Sequence, residues 1–242
     1  MVDVTKAVIL AAGRGTRMGS LTEDLPKPML PLQGKPMLAH QIERLEEEGI
    51  NEILLVTGYK GNLVKKHFEC HPPTQARLHY CHQKNPDGTG SAARLAQGFT
   101  GSDDFILTFG DILVDKAVYR LLIEAMEHFD VVLSIKRVSD PYQGAAVYIA
   151  GERVTHIIEK PQRGQSKTEW VNAGVYGFRR DLFDELKRIT VSPRGEYELT
   201  DAVSSMVTNG KRVGYVTIEG FWKDVGRPED ISIASHFVAP GP

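Results

Sequence analysis

The chain has 242 residues, 41% apolar and 25% charged, the balance of an ordinary globular protein long enough to bury a substantial core. A net charge of −2 argues against a broad nucleic-acid or anionic-membrane surface, and two cysteines, Cys70 and Cys81, are too few for a disulfide framework. No stretch approaches transmembrane length, and Asp3 and the short apolar run at 7–12 do not make a signal peptide, so a cytoplasmic protein with no nucleic-acid or membrane partner is expected.

In chain order, "KAVIL" reads as a buried strand that meets a glycine-rich loop. "KPMLAHQIERLEEEG" places Met37, Leu38, Ile42 and Leu45 on one helical face, with Gly49 as C-cap. "NEILLVTG", "ARLHYCHQ" and "DDFILTFGD" read as further strands, and "GNLVKKHFE", "GTGSAARLAQGF" and "KAVYRLLIEAMEHF" as the helices between them. This alternation predicts a parallel sheet covered on both faces, with ligands at the C-terminal ends of its strands. The second half is β-rich: "DVVLSIKRV", "GAAVYIAGERVTHIIEKP" with a hairpin turn at "GERV", and "WVNAGVYGF". Two helices follow in "RRDLFDELKRI" and "ELTDAVSSMVTNG", then a strand pair in "KRVGYVTIEGFWKDVGRPED" and a frayed tail, "SHFVAPGP". The expected architecture is one mixed-sheet α/β domain over residues 1–242, with a nucleotide-type half at 5–130 and an inserted β-rich half at 131–232.

The glycine loop carries Gly13, Gly15 and Gly19. It is neither a dinucleotide fingerprint, which needs glycine where Met18 stands, nor a Walker A loop. Its physics still suits a phosphate: glycines bring backbone N–H groups close, and Arg14, Thr16 and Arg17 add donors in the same turn. An ordinary turn with solvated arginines is the alternative. In "PKP", Pro26 restricts the loop and Pro28 biases Lys27 away from helical space, which would hold the ammonium at a fixed distance from the glycines; the alternative is a plain extended connector.

The stretch "LAAGRGTRMGSLTEDLPKPMLPLQGKPML" resembles the signature of the sugar-phosphate nucleotidylyltransferases, also called nucleotide-sugar pyrophosphorylases. "HQKNPDGTGSA", "FILTFGD", "YQGAAV", "IIEKP", "NAGVYGF" and "WKDVGRPED" are similar to the family's later segments, in its order, so the resemblance covers nearly all of residues 5–232. It is strongest toward the single-domain glucose-1-phosphate uridylyl- and thymidylyltransferases. Neither the β-helix acyltransferase domain of bifunctional members nor the C-terminal helical extension of some thymidylyltransferases is expected.

The resemblance implies a Rossmann-like nucleotide-diphospho-sugar transferase fold and a Mg²⁺-dependent reaction. A sugar 1-phosphate attacks the α-phosphorus of a nucleoside triphosphate and pyrophosphate leaves. The nucleophile is already an anion, so catalysis is positioning and electrostatics. By resemblance, Arg14, Lys27 and Asp111 are catalytic, with Arg14 and Lys27 on the triphosphate and Asp111 and Asp224 on Mg²⁺. Leu10, Ala11, Ala12, Gly13, Gly15 and Thr16 contact the nucleotide, with Gln83 and Gly88 at the base. Gly144, Glu159 and Asn172 contact the sugar, and Lys160 its phosphate. Gln83, with an amide donor and acceptor, favours UTP or dTTP, while GTP or CTP with a mannose, heptose or hexosamine 1-phosphate is the alternative.

Other readings compete. His67, Cys70, His71, His79, Cys81 and His82 tempt toward zinc, but strand alternation separates His79 and Cys81 from His82. A glycosyltransferase would carry Asp-x-Asp, which Asp111-Ile112-Leu113 does not supply. A regulatory subunit that kept the fold would be expected to lose the Arg/Lys/Asp set. Homo-oligomerisation is not legible.

Overall fold

A computed structural model describes residues 3–239. The apolar run Lys6–Ala11 is strand β1, and its alternation buries both sides: Ala7, Ile9 and Ala11 face one core, Val8 and Leu10 the other. Pro31–Leu32 (β2) and Lys35–Pro36 (β3) make a small ribbon ahead of helix α1, Met37–Glu47. Helix α1 buries Leu38, Ile42 and Leu45, each worth about 1.5–3 kcal/mol on transfer from water. It ends as expected on Gly49, whose φ of +88° lets the Gly49 and Ile50 N–H groups bond back to Glu46 and Leu45 carbonyls. Strand β4 (Glu52–Thr57), α2 (Gly61–Cys70), β5 (Arg77–His82), α3 (Thr89–Arg94), α4 (Gln97–Thr100), β6 (Phe105–Phe109), β7 (Ile112–Val114) and α5 (Ala117–Ala125) complete the first half.

The second half supplies β8 (Val131–Arg137), β9 (Ala145–Ala150), β10 (Arg153–Glu159), β11 (Trp170–Phe178), α6 (Leu182–Arg188), α7 (Leu199–Thr208), β12 (Val213–Thr217), β13 (Trp222–Asp224) and α8 (Asp230–Val238). Both halves share one nine-stranded sheet in the order β5-β4-β1-β6-β11-β8-β12-β10-β9. The first four strands are parallel, and β11 runs antiparallel between β6 and β8. The β9–β10 hairpin also touches the start of β11 through Val171 and Ala146, so the far edge of the sheet folds back onto β11. No helix among the described residues is long and apolar enough to cross a membrane.

Four expectations are corrected. The helix expected over 88–99 is two pieces, because the Leu95 and Ala96 N–H groups make tight three-residue bonds to Ala92 and Ala93. The strand pair expected in 211–230 is not a pair: β12 enters the main sheet beside β8, while β13 joins β7 in a separate ribbon. Lys136 Nζ holds the crossover, donating to the carbonyls of Ile218 at 2.8 Å and Gly220 at 3.1 Å. The tail is helical through Val238 because it has a packing partner: the Phe237 ring stacks on Phe221 at 3.8 Å, and the Arg44 guanidinium lies 4.7 Å from the Phe237 ring centre. The rest of that tail, 240–242, lies outside the described residues. Lys27, finally, is not extended but opens a single 3₁₀ turn, Lys27–Met29. The donors of that turn are Met29 and Leu30, so the missing N–H of Pro28 costs it nothing.

Candidate active site

A cleft of about 910 Å³ opens at the C-terminal ends of β1 and β6. One wall is the glycine loop, with Leu10, Ala11, Ala12, Gly13, Gly15 and Thr16 on its surface; the opposite wall carries Gly144, Glu159, Lys160 and Asn172. Lys27, Asp111 and Asp224 lie between the walls, and Gln83 and Gly88 also line the cleft. Of the catalytic and binding residues that the resemblance implies, Arg14 alone is not on this surface. Its guanidinium sits 5.3 Å from the ring centre of Tyr59.

Lys27 reaches the middle of the cleft by lying across Gly15. A β-carbon on Gly15 would stand 2.8 Å from Lys27 Cβ, and Gly15 also has φ of +71°. Lys27 is buried at 6% exposure, and its ammonium lies 2.6 Å from Asp111 Oδ2 and 3.9 Å from Asp224 Oδ1. The two aspartates come from distant parts of the chain and meet because β7 and β13 pair. Asp224 is opposite Ile112, and Val225 N–H donates to the Asp111 carbonyl at 2.9 Å. Gly110, just before Asp111, lies so near β1 that a β-carbon there would be 2.9 Å from Ala11 Cβ.

Burial pushes the Asp224 carboxyl above its ordinary range, and the Asp111 charge pushes it further; Lys27 and Arg17 oppose both. Asp224 Oδ1 is buried with no hydrogen-bond partner among the described residues. Two carboxylates facing one cleft, one with a buried oxygen that accepts no hydrogen bond among the described residues, are a donor set that fits a hard divalent cation such as Mg²⁺.

Arg17 is the residue that the sequence reading undervalued. A 3₁₀ segment starts at Thr16 and swings Arg17 into the cleft, where its guanidinium lies 3.4 Å from a β-carbon built on Gly226. Asp230 fixes that facing loop: Oδ2 accepts from Gly226 and Arg227 N–H groups at 2.9 and 2.8 Å, and Lys223 Nζ reaches Oδ1 at 2.5 Å. These hydrogen bonds and the Lys223 charge outweigh burial and hold the Asp230 carboxyl below its ordinary range.

Beyond the glycine loop, the Gln83 amide donates to Asp87 Oδ1 at 3.3 Å and to the Gly88 carbonyl at 3.2 Å. Gly88 is required for a reason invisible in its neighbours: with φ of +120°, it packs so that a β-carbon would lie 2.3 Å from the Tyr197 carbonyl oxygen. On the opposite wall, both Glu159 oxygens are engaged, Oε1 by Arg194 Nη1 at 3.3 Å and Oε2 by Thr200 Oγ1 at 3.0 Å. Arg194 also binds Glu198 Oε1 at 2.8 Å and was not expected from sequence. Lys160 has a left-handed φ of +41° directly after β10, a strained state of the kind concentrated at binding sites. Asn172 donates to the Tyr176 hydroxyl at 2.5 Å beside the irregularity that interrupts β11. Gly144 packs on Val171, whose Cγ2 would meet a β-carbon at 2.7 Å.

The family model described as "Nucleotidyl transferase" matches residues 6–240. The chain belongs to this family. A nucleotidyl transferase relative from Haloferax volcanii, UTP–glucose-1-phosphate uridylyltransferase AglF, is 30% identical over 93% of both chains. The bifunctional protein GlmU of Methanococcus maripaludis strain C7 is 33% identical over 95% of this chain and 53% of its own length, so the chain spans about half of the GlmU relatives it matches. The solved structure of UDP-glucose pyrophosphorylase complexed with UDP-glucose has a TM-score of 0.88 over 97% of this chain and 98% of that one, at 21% identity, a likeness of fold.

Proposed function

We propose that the protein transfers a nucleotidyl group from UTP or dTTP to a sugar 1-phosphate, releasing pyrophosphate. The observation that carries this reading is the ammonium of Lys27 between two carboxylates, at 2.6 and 3.9 Å, in a cleft walled by a glycine loop. A phosphate oxygen of the sugar 1-phosphate bonds to the α-phosphorus, and the bond from that phosphorus to the bridging oxygen breaks, its electron pair leaving with pyrophosphate. Lys27 and Arg17 supply cationic donors for the triphosphate, and the glycine loop supplies backbone N–H groups. Asp111 and Asp224 would hold Mg²⁺, which when bound supplies charge neutralisation to phosphate oxygens. Lys160 would orient the sugar phosphate, with Glu159, Asn172 and Gly144 around the sugar.

Gln83 supports uracil or thymine over cytosine. Its amide N–H groups are already given to Asp87 and Gly88, which leaves Oε1 as its handle. A carbonyl oxygen accepts from a ring N–H such as N3–H of uracil or thymine; cytosine has an acceptor at that place. The name of AglF points the same way, to UTP and glucose 1-phosphate. The test is pyrophosphate release with Mg²⁺, UTP, dTTP, GTP or CTP, and a panel of glucose, mannose, heptose and hexosamine 1-phosphates. Sugar-phosphate-dependent release, greatest with UTP or dTTP, is expected. No release with any pair, or release independent of sugar phosphate, overturns the reading.

A further inference from the structure

Helix α1 buries an amide where its pattern calls for an apolar side chain. Gln41 is fully buried on the face that also presents Leu38, Ile42 and Leu45. Its Nε2 donates to the Phe109 carbonyl at 3.0 Å and also to the Ile112 carbonyl. Those two residues flank Gly110 and Asp111, the turn between β6 and β7. The orientation is forced, because the reverse rotamer would set the amide oxygen against two carbonyl oxygens. Oε1 is left buried and without a hydrogen-bond partner among the described residues. An apolar residue of the same size would remove that orphan but would also take the donor from the Phe109 and Ile112 carbonyls, so the amide's task is to serve those two carbonyls.

We propose that Gln41 is a positioning residue for Asp111, clamping the Gly110-Asp111 turn by its two ends from beneath so that the carboxylate stays in the cleft. The inference rests on the reading of Asp111 as a working carboxylate of the nucleotidyl transfer. Two backbone bonds also hold the turn, Gly110 N–H on the Leu10 carbonyl and Val225 N–H on the Asp111 carbonyl, both at 2.9 Å. Lys27 holds the Asp111 carboxylate from the cleft side at 2.6 Å, and Thr108 Oγ1 lies 3.5 Å from the Phe109 carbonyl, but the Gln41 amide is what joins the carbonyls of Phe109 and Ile112. Without the clamp the turn can rock about the two backbone bonds, and Asp111 Oδ2 drifts relative to Lys27 and Asp224.

The test compares Gln41→Met, similar in length but without donors, with Gln41→Glu and a control, Leu45→Ala. A buried carboxyl at 41 stays protonated and gives one O–H to one of the two carbonyls, so it should rescue in part. Turnover, the Mg²⁺ concentration giving half-maximal rate, Tm, and hydrogen exchange of a peptide spanning 105–114 are measured. Support for a metal-binding carboxylate by its surroundings is typically worth about 10–100-fold. Turnover should fall by about that factor in Gln41→Met and less in Gln41→Glu, with a higher Mg²⁺ requirement and faster exchange across 109–112. Leu45→Ala should lower Tm while leaving turnover and that peptide's exchange near wild type. A folded Gln41→Met with turnover and exchange within about two-fold of wild type overturns the proposal. Should that variant not fold, Gln41→Leu, which also lacks a donor, decides by the same criterion. Wild-type protein inactive with every substrate pair would instead overturn the nucleotidyl-transfer reading, and the exchange comparison would still show whether Gln41 holds the turn.

Discussion

Lys27 occupies the space that a side chain on Gly15 would fill: their contact leaves 2.8 Å between Lys27 Cβ and a β-carbon built on Gly15. The glycine loop therefore has a second task besides offering N–H groups, which is to let a buried lysine pass. Gly15→Ala should disturb that lysine and also force a left-handed φ on a side chain, at about 1–2 kcal/mol. Turnover should fall by about ten-fold or more, since a cation aimed at developing charge is displaced. Gly98→Ala, on α4 with nothing within 4 Å of the new carbon, should leave turnover unchanged. Equal turnover in Gly15→Ala and wild type would separate Lys27 from the chemistry.

Lys27 itself gives an ordered series. Lys27→Ala removes a cation that gains strength as charge moves onto pyrophosphate, so turnover should drop further than triphosphate affinity. Lys27→Arg keeps the charge but not the compact shape that fits between Asp111 and Asp224, and should recover little. Pro28→Ala keeps the lysine and loosens the 3₁₀ turn that carries it. The expected order of turnover is wild type, Pro28→Ala, Lys27→Arg, Lys27→Ala. If "PKP" only shapes a connector, the proline variant will lose the most in Tm and Lys27→Ala will be near silent in turnover.

Much of this site was legible because its parts sit at strand ends. "FILTFG" marks a buried strand, and Asp111 follows it; "KAVIL" does the same for the glycine loop. The illegible parts depend on contacts between segments far apart in sequence. Gly88 is demanded by the Tyr197 backbone, and Arg194 enters the cleft on a loop with no pattern of its own. Strands β7 and β13 are three residues each, too short for any alternation to show that one pairs with the other. The segment from Ser235 onward reads as tail because the packing of its helical part depends on Phe221 and Arg44, not on a continuous apolar face.

By resemblance the sequence put Arg14 on the triphosphate and left Arg17 as a further donor in the same glycine turn. Their surroundings separate them: Arg17 faces Asp224 and Gly226, while Arg14 rests on Tyr59. Arg17→Ala should therefore reduce turnover by about ten-fold or more, as losing one charged transition-state contact does. Arg14→Ala should change turnover by less than about three-fold, the scale of an exposed cation–π contact of 0.5–1 kcal/mol. Steady-state kinetics of both variants at saturating substrates decide; the reverse ranking would place the triphosphate on the Tyr59 side of the loop.

Asp224 should be a residue kept at the expense of stability. Its folded pKa lies above the ordinary carboxylate value because of burial and then the Asp111 charge, so the folded state binds this proton more tightly than the unfolded chain does. The sign follows: above the folded pKa the ionised carboxylate lowers stability, and that penalty fades as pH falls through the folded pKa toward the unfolded value. Asp224→Asn removes it. Tm at pH 7 should rise relative to wild type, and the gap should narrow as pH is lowered toward 4. Mg²⁺ at millimolar concentration should raise the wild-type Tm, because a ligand that binds only the folded state stabilises it, and should do so far less for Asp224→Asn. Turnover should fall, since the variant loses a charged ligand for the cation. Thermal melts at several pH values, with and without Mg²⁺, read all of this in one series. A lower Tm for Asp224→Asn at pH 7 would mean that Lys27 and Arg17 more than compensate the buried charge, and that Asp224 stabilises the fold.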